Sequence, residues 1–239
     1  MTRQRLQRVA MEWAMTLADM KVPDEFRRIP ARESDDALGD LRFRALLSDE
    51  AWASLPLPIR RRFSKRLAGG RTVVYTGEVQ ETQMSRTGWC LAQLARLIGG
   101  SLPVVTDPHA PSVVTVTEDV ATGGQIWTRL YARRNGFPQI IHSSKRFAGP
   151  TGVEEYLGRG LGMALTIHAD DGALVFRSHH YFVQAFGRRF ALPAWLNPGQ
   201  LTVTHAELGE GRFAFILALD HPRFGMFIRQ SAAFRETAP

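Results

Sequence analysis

Hydrophobic positions change their period partway along the chain, and that change divides it. Leu6, Val9, Ala10, Trp13, Ala14 and Leu17 recur at helical spacing and predict an amphipathic helix over residues 3–20. The next stretch, KVPDEFRRIPARESDDALGD, carries two prolines and many charges and reads as a linker. Short helices are expected around 41–47 and 49–54 and across 57–67, ending at Gly69-Gly70. RTVVYTGEVQET reads as a strand. Ser85 fits the N-cap of a helix over 86–98 that carries Leu91, Leu94, Ala95 and Ile98 on one face, with Gly99-Gly100 closing it.

From about residue 112 the period becomes two. SVVTVTED, QIWTRLYARR, FPQIIHSSKRF, GMALTIHA, ALVFRSHHYFV, QLTVTHAEL, RFAFILAL and GMFIRQSAAF follow one another with turn signals between them. The expected fold class is α+β: a large curved antiparallel β-sheet or partly closed barrel with a packed helix, plus an N-terminal helical extension. Residues 1–40 form the helix and linker, and 41–236 a single antiparallel-sheet domain.

Turn chemistry then predicts which side chains share a face. Asn135-Gly136 is a strong two-residue hairpin signal. Pairing outward from it sets Tyr131 opposite Ile140, Arg129 opposite His142 and Trp127 opposite Ser144. An even loop at ATGG adds Val114, Val116 and Glu118 to that face. Trp127, Arg129, Tyr131, His142 and Ser144 therefore form the expected ligand-binding set, an aromatic face with convergent polar groups. The same face could instead meet solvent, with Glu118–Arg129 an ordinary cross-strand pair. Asp171-Gly172 marks a second hairpin that places His180 on an apolar face with Met163, Leu165 and Phe176. LGEGRF marks a third, with Phe213, Phe215 and Leu208 on one side and an exposed His205 on the other.

Two function classes use this face. One is a module that binds an apolar or aromatic, lipid-like small molecule in a sheet-enclosed pocket. The other is a cofactor-independent enzyme, isomerase- or hydrolase-like, with His142, His180 and Glu118 as catalytic candidates and Arg129 stabilising an oxyanion. No cofactor is implied, and no metal: phosphate-binding loops, HExxH and clustered ligand patterns are missing from the sequence. Cys90, the single cysteine, is expected to be a buried inert thiol.

Composition changes this picture little. The 239 residues carry a formal charge of +7, almost all of it through arginine, with Lys21, Lys65 and Lys145 the only lysines. The densest basic run, IRRRFSKR, fans its arginines around a helix instead of lining them up, so a nucleic-acid partner is not expected. No apolar run reaches the ~18–20 residues of a membrane-spanning helix, and the N-terminus lacks a signal-peptide pattern. A cytoplasmic protein is the expectation, with a possible homo-oligomer formed through the N-terminal helix.

LYARRNGFPQIIHSSKRF, LPAWLNPG and GRFAFILALDHPRFG together resemble the bacterial domain of unknown function family numbered 4166, over about residues 43–234. Leu55-Pro56, the Trp127, Arg129 and Tyr131 run, Phe137, Ser143, Leu192-Pro193 and Pro198 carry the likeness. The chain departs from the family's pattern at Phe63, where many members have histidine, and at Gln230, in a strand that is tyrosine-rich in many. The resemblance implies no activity.

Overall fold

A computed structural model describes residues 39–99 and 102–237. The expected N-terminal helix, most of its linker and any oligomer contact made through them lie outside the described residues. Gly39 onward forms one compact unit. A 3-10 turn at Arg44–Leu46 precedes helices α1 (Asp49–Ser54) and α2 (Leu57–Phe63). Strand β1 (Thr72–Met84) leads into helix α3 (Arg86–Ala95), which tightens into a 3-10 turn at Arg96–Ile98. Then come β2 (Pro111–Asp119), β3 (Gly124–Tyr131), β4 (Gln139–Arg146), β5 (Val153–Gly158), β6 (Leu161–Asp170), β7 (Ala173–Ala185) and β8 (Arg188–Ala191). A 3-10 turn at Ala194–Leu196 precedes β9 (Gln200–Gly209), β10 (Arg212–His221) and β11 (Gly225–Glu236).

The strands neighbour one another in the order β6-β5-β4-β3-β2-β1-β11-β10-β9-β7, and a further β6–β7 pairing closes the ring. Ten antiparallel strands make a closed barrel, and β8 pairs with β7 outside it. Closure leaves no barrel strand with an open edge. One end receives α3 and the connections after β1, β3, β5, β7 and β10. The other end receives α1 and α2; Trp52, Ile59 and Phe63 from the helices and Leu55 from the link between them are buried with Leu165, Ile167 and Phe176. Both apolar faces that the short helices cannot bury alone are thus spent on plugging the barrel.

The barrel parity follows expectation in some hairpins and breaks it in three. Between β2 and β3, Val114 lies opposite Arg129 and Val116 opposite Trp127, as the even loop requires. Between β3 and β4 the register differs by one: Trp127 faces Ser143, Thr128 faces His142 and Arg129 faces Ile141. Pairing stops at Tyr131–Gln139, so the connection is the odd-length loop 132–138 and not a tight Asn-Gly turn. Pro138 has no N–H to extend the ladder. Gln139 is held instead by the loop after α3, accepting from Val104 N at 2.9 Å and donating to Leu102 O at 3.1 Å. A one-residue slip turns every side chain of the strand to the other face.

Two bulges do the same elsewhere. On β7, Ser178 pairs with Leu165 but His180 with Ala164, which turns Tyr181 inward and His180 outward. On β9, Leu208 is the extra residue, so Phe213 faces Glu207 and Phe215 faces His205. His205 is 1% exposed, buried where exposure was expected, and Leu208 faces solvent. Cys90, expected inside, is exposed on α3.

Candidate functional site

Trp127, Arg129 and Tyr131 all point into the barrel, and the slip of β4 decides what meets them. Ile141, Ser143 and Lys145 join them; His142 and Ser144 do not. His142 is exposed on the outer wall, its Nδ1 3.0 Å from Thr128 Oγ1. Ser144 Oγ donates to Asp119 Oδ2 at 2.7 Å on that same outer face. His180 stands outside beside His179, their Nδ1 atoms 3.0 Å apart. Glu118 accepts from Gly69 N at 3.0 Å near the α1–α2 end. The structure therefore brings together three of the expected site residues and separates His142, Ser144, His180 and Glu118 from them.

The interior instead holds an ion cluster. Lys145 Nζ donates to Glu155 Oε2 at 3.1 Å, Arg129 Nη2 lies 3.6 Å from Glu155 Oε1, and Arg129 Nη1 donates to Ser143 Oγ at 3.2 Å. The ammonium also sits over the Trp127 ring at 4.8 Å. Burial alone would raise the Glu155 pKa, but the two cations and the bonds from Ser143 and Lys145 outweigh it and bring it down to about 2. Burial lowers the Lys145 pKa, and the attraction of Glu155 opposes that shift.

His205 lies among Phe63, Phe176 and Phe215, the last with its ring centroid 3.8 Å away. Burial, reinforced by the charges of Arg62, Lys145 and Arg129, holds its pKa well below the ordinary value, so the imidazole is neutral. Its Nδ1 makes no hydrogen bond. Beside this cluster, Arg129, Tyr131, Phe215 and Gln230 border a space of only ≈ 30 Å³. That is room for about two waters, not for an organic ligand.

A concavity with an almost wholly apolar lining is at the α3 end. A cavity of ≈ 210 Å³ lies beneath α3, whose Leu91, Leu94, Ala95 and Ile98 form one wall, the apolar face expected from the sequence. Leu157, Leu161 and Met163 from β5 and β6 form another, and Pro198, Leu201 and Leu219 complete the enclosure with Leu102. Tyr181 is the one lining residue with a polar side chain. Burial pushes its pKa up to about 12, with Ser178 and the Leu201 backbone pulling the other way and Glu155 adding to the rise. The phenol stays protonated and separates the cavity from the ion cluster.

Two local devices hold α3 in place. Ser85 Oγ accepts the Gly88 N–H at 3.1 Å, capping the first turn. Gly88 lets the helix approach β11: a Cβ there would sit 2.0 Å from the Phe227 carbonyl oxygen. The sequence displayed the α3 face but not its partner surface, because Met163 and Tyr181 reach the cavity only through the barrel's closure and the β7 bulge. Lys145, Glu155 and His205 were missed as interior groups; adjacent Glu154 and Glu155 hid the alternation of β5.

Among the described residues no group of three or more His, Cys, Asp or Glu side chains is placed to hold a metal, and no helix is long and apolar enough to cross a membrane. No curated protein and no solved structure matches the chain. A domain of unknown function, DUF4166, matches residues 55–234, a span that takes in α2, α3 and the barrel strands as far as Phe234. With well over half of its length matched, the chain belongs to the DUF4166 family.

Proposed function

We propose that the domain binds a small molecule through an apolar chain or single ring, held in the cavity beneath α3. The observation that carries this reading is the lining: twelve residues enclose ≈ 210 Å³, and only Tyr181 among them has a polar side chain. The volume falls below the ~300–1,000 Å³ of drug-sized sites, which favours part of an acyl chain over a polycyclic ligand. Such a site selects by length and shape, with the ligand's polar head left at the rim beside the exposed Leu94. Trp127, Arg129 and Tyr131 serve the barrel's interior and do not touch the ligand. Binding is favoured over turnover because the one polar side chain at the cavity keeps its proton, and no base faces it across the space.

Competition of saturated alkanols of increasing length against a fluorescent fatty-acyl probe tests the reading. Each added methylene buried is worth about 0.8 kcal/mol, so affinity should rise roughly fourfold per carbon and then level off when the cavity is full. Leu161→Trp, which fills the wall between β5 and β6, should weaken the probe at least tenfold. Affinity independent of chain length, or unaffected by Leu161→Trp, would refute the proposal.

A further inference from the structure

The two ends of the barrel are chemically unlike. The connections at the α3 end, residues 85–99, 102–110, 132–138, 159–160, 186–199 and 222–224, carry eight arginines and one acidic residue, Asp107. At the opposite end, residues 39–71 and the connections 120–123, 147–152, 171–172 and 210–211 carry eight basic and five acidic residues. Exposed aromatic side chains divide the same way. Among the described residues Trp89, Phe137, Phe186, Phe190, Trp195 and Phe224 stand at the α3 end with Leu97, Trp195 at 81% and Phe186 at 100% exposure. The opposite end exposes aliphatics alone, Leu41, Leu57, Val120 and Leu208. Isolated exposed apolar residues need no explanation, but this concentration at one end of the barrel does.

Several exposed aromatics and leucines, interspersed with arginine and backed by a rigid barrel, match the chemistry of a bilayer's headgroup layer. Trp partitions to that layer with its ring in the apolar boundary and its N–H wet. Arginine stems extend along apolar surface while the guanidinium reaches phosphate. A nucleic acid would answer the charge but would leave Leu94 and Leu97 uncovered. We infer that the α3 end docks on an anionic phospholipid surface, with Trp89, Leu97, Trp195 and Phe224 entering the headgroup layer and Arg86, Arg96, Arg133, Arg159 and Arg223 facing the lipid phosphates. The α3 cavity then lies at the membrane-facing end of the barrel, where apolar chains are found. This docking surface stands whatever the cavity holds: vesicle binding reads the surface, and probe titration reads the cavity.

The test is flotation of the full chain with vesicles of phosphatidylcholine alone and of phosphatidylcholine mixed with phosphatidylglycerol. The wild type should float with the mixed vesicles and stay behind with phosphatidylcholine. Arg133→Gln/Arg223→Gln should lower the bound fraction's partition coefficient roughly 25-fold, at about fivefold per arginine on an anionic surface. Leu97→Ser/Trp195→Ser should lose flotation, while Val120→Ser, at the opposite end, should float as the wild type; thermal melts confirm that each variant is folded. Flotation unchanged in both double variants would place membrane contact in residues 1–38 and overturn the inference. So would failure of the wild type to float, or retention of an oligonucleotide duplex in its place.

Discussion

Replacing Glu155 by glutamine keeps the shape of the side chain and removes the one anion of the barrel's ion cluster. Lys145 at 3.1 Å and Arg129 at 3.6 Å are then left facing each other without a counter-charge. Two charges about 4 Å apart interact by roughly 4 kcal/mol at an effective dielectric of ~20, so the gross attraction lost is about 8 kcal/mol. Desolvation has already taken back much of that. The depression of the Glu155 pKa from 4.5 to about 2 corresponds to a net of about 3 kcal/mol at ~1.4 kcal/mol per pH unit. Breaking a buried pair from one side costs about 3–5 kcal/mol by measurement elsewhere, and the two routes meet. Urea unfolding followed by tryptophan fluorescence should show the midpoint fall with an unchanged slope, and Tm should drop by roughly 6–20 °C for a domain of this size. Lys145→Met in the same chain should recover part of the loss, with a coupling of about 1–3 kcal/mol, because it removes the cation that glutamine left unpaired. A loss under about 1 kcal/mol in the single variant, or strict additivity in the double, would mean that the cluster is solvated and the barrel interior open.

The same cluster fixes an acid response. Glu155 has a folded pKa below its unfolded value, so its contribution is complete above about 4.5 and lost as pH falls toward about 2; the stability gap between wild type and Glu155→Gln should close over that window in Tm measurements, and a constant gap would contradict it. Gly88→Ala has a diagnostic sign, since helix propensity alone favours alanine by about 1 kcal/mol, whereas the 2.0 Å approach to the Phe227 oxygen predicts a loss of about 1–3 kcal/mol together with weaker probe binding as α3 lifts. Cys90 should react with an aromatic disulfide reagent in the folded protein nearly as fast as in denaturant, and protection of the thiol would put it back inside.

The elements and their inward faces were largely legible, because alternation within a strand is local chemistry. Val114, Val116, Trp127, Arg129 and Tyr131 could be assigned to one face from the sequence, and they share it. What the sequence could not carry across a turn was parity. Asn135-Gly136 is a genuine turn signal, but Pro138 and the Gln139 bonds to Leu102 and Val104 decide where pairing stops, and those partners come from a loop that is remote in the chain. The bulges at His179 and Leu208 carry no residue signature that separates them from regular strand. β5 stayed hidden for a different reason: Glu154 is satisfied outside the barrel by Arg189 and Tyr156, and Glu155 inside it by Lys145, so neighbouring buried carboxylates mask a period of two.

The register of β4 has one functional consequence. Shifting β4 by a residue exchanges the imidazole of His142 for the ammonium of Lys145 beside Trp127, and an ammonium on the inner wall requires an anion, which Glu155 supplies from β5. An interior occupied by that pair, by His205 and by phenylalanines has no volume left for a ligand, as the ≈ 30 Å³ beside Arg129 attests. The barrel's middle is therefore filled by side chains, and an apolar concavity lies at its end beneath α3, which packs on the strands through Gly88 in its first turn and through the buried Ala92 and Ala95 beyond it. Leu91, Leu94 and Ala95 follow Gly88 on the same short helix and line the cavity. A substitution that lifts the first turn off Phe227 therefore displaces that wall, which is why Gly88, itself outside the lining, is the position at which stability and ligand affinity should change together.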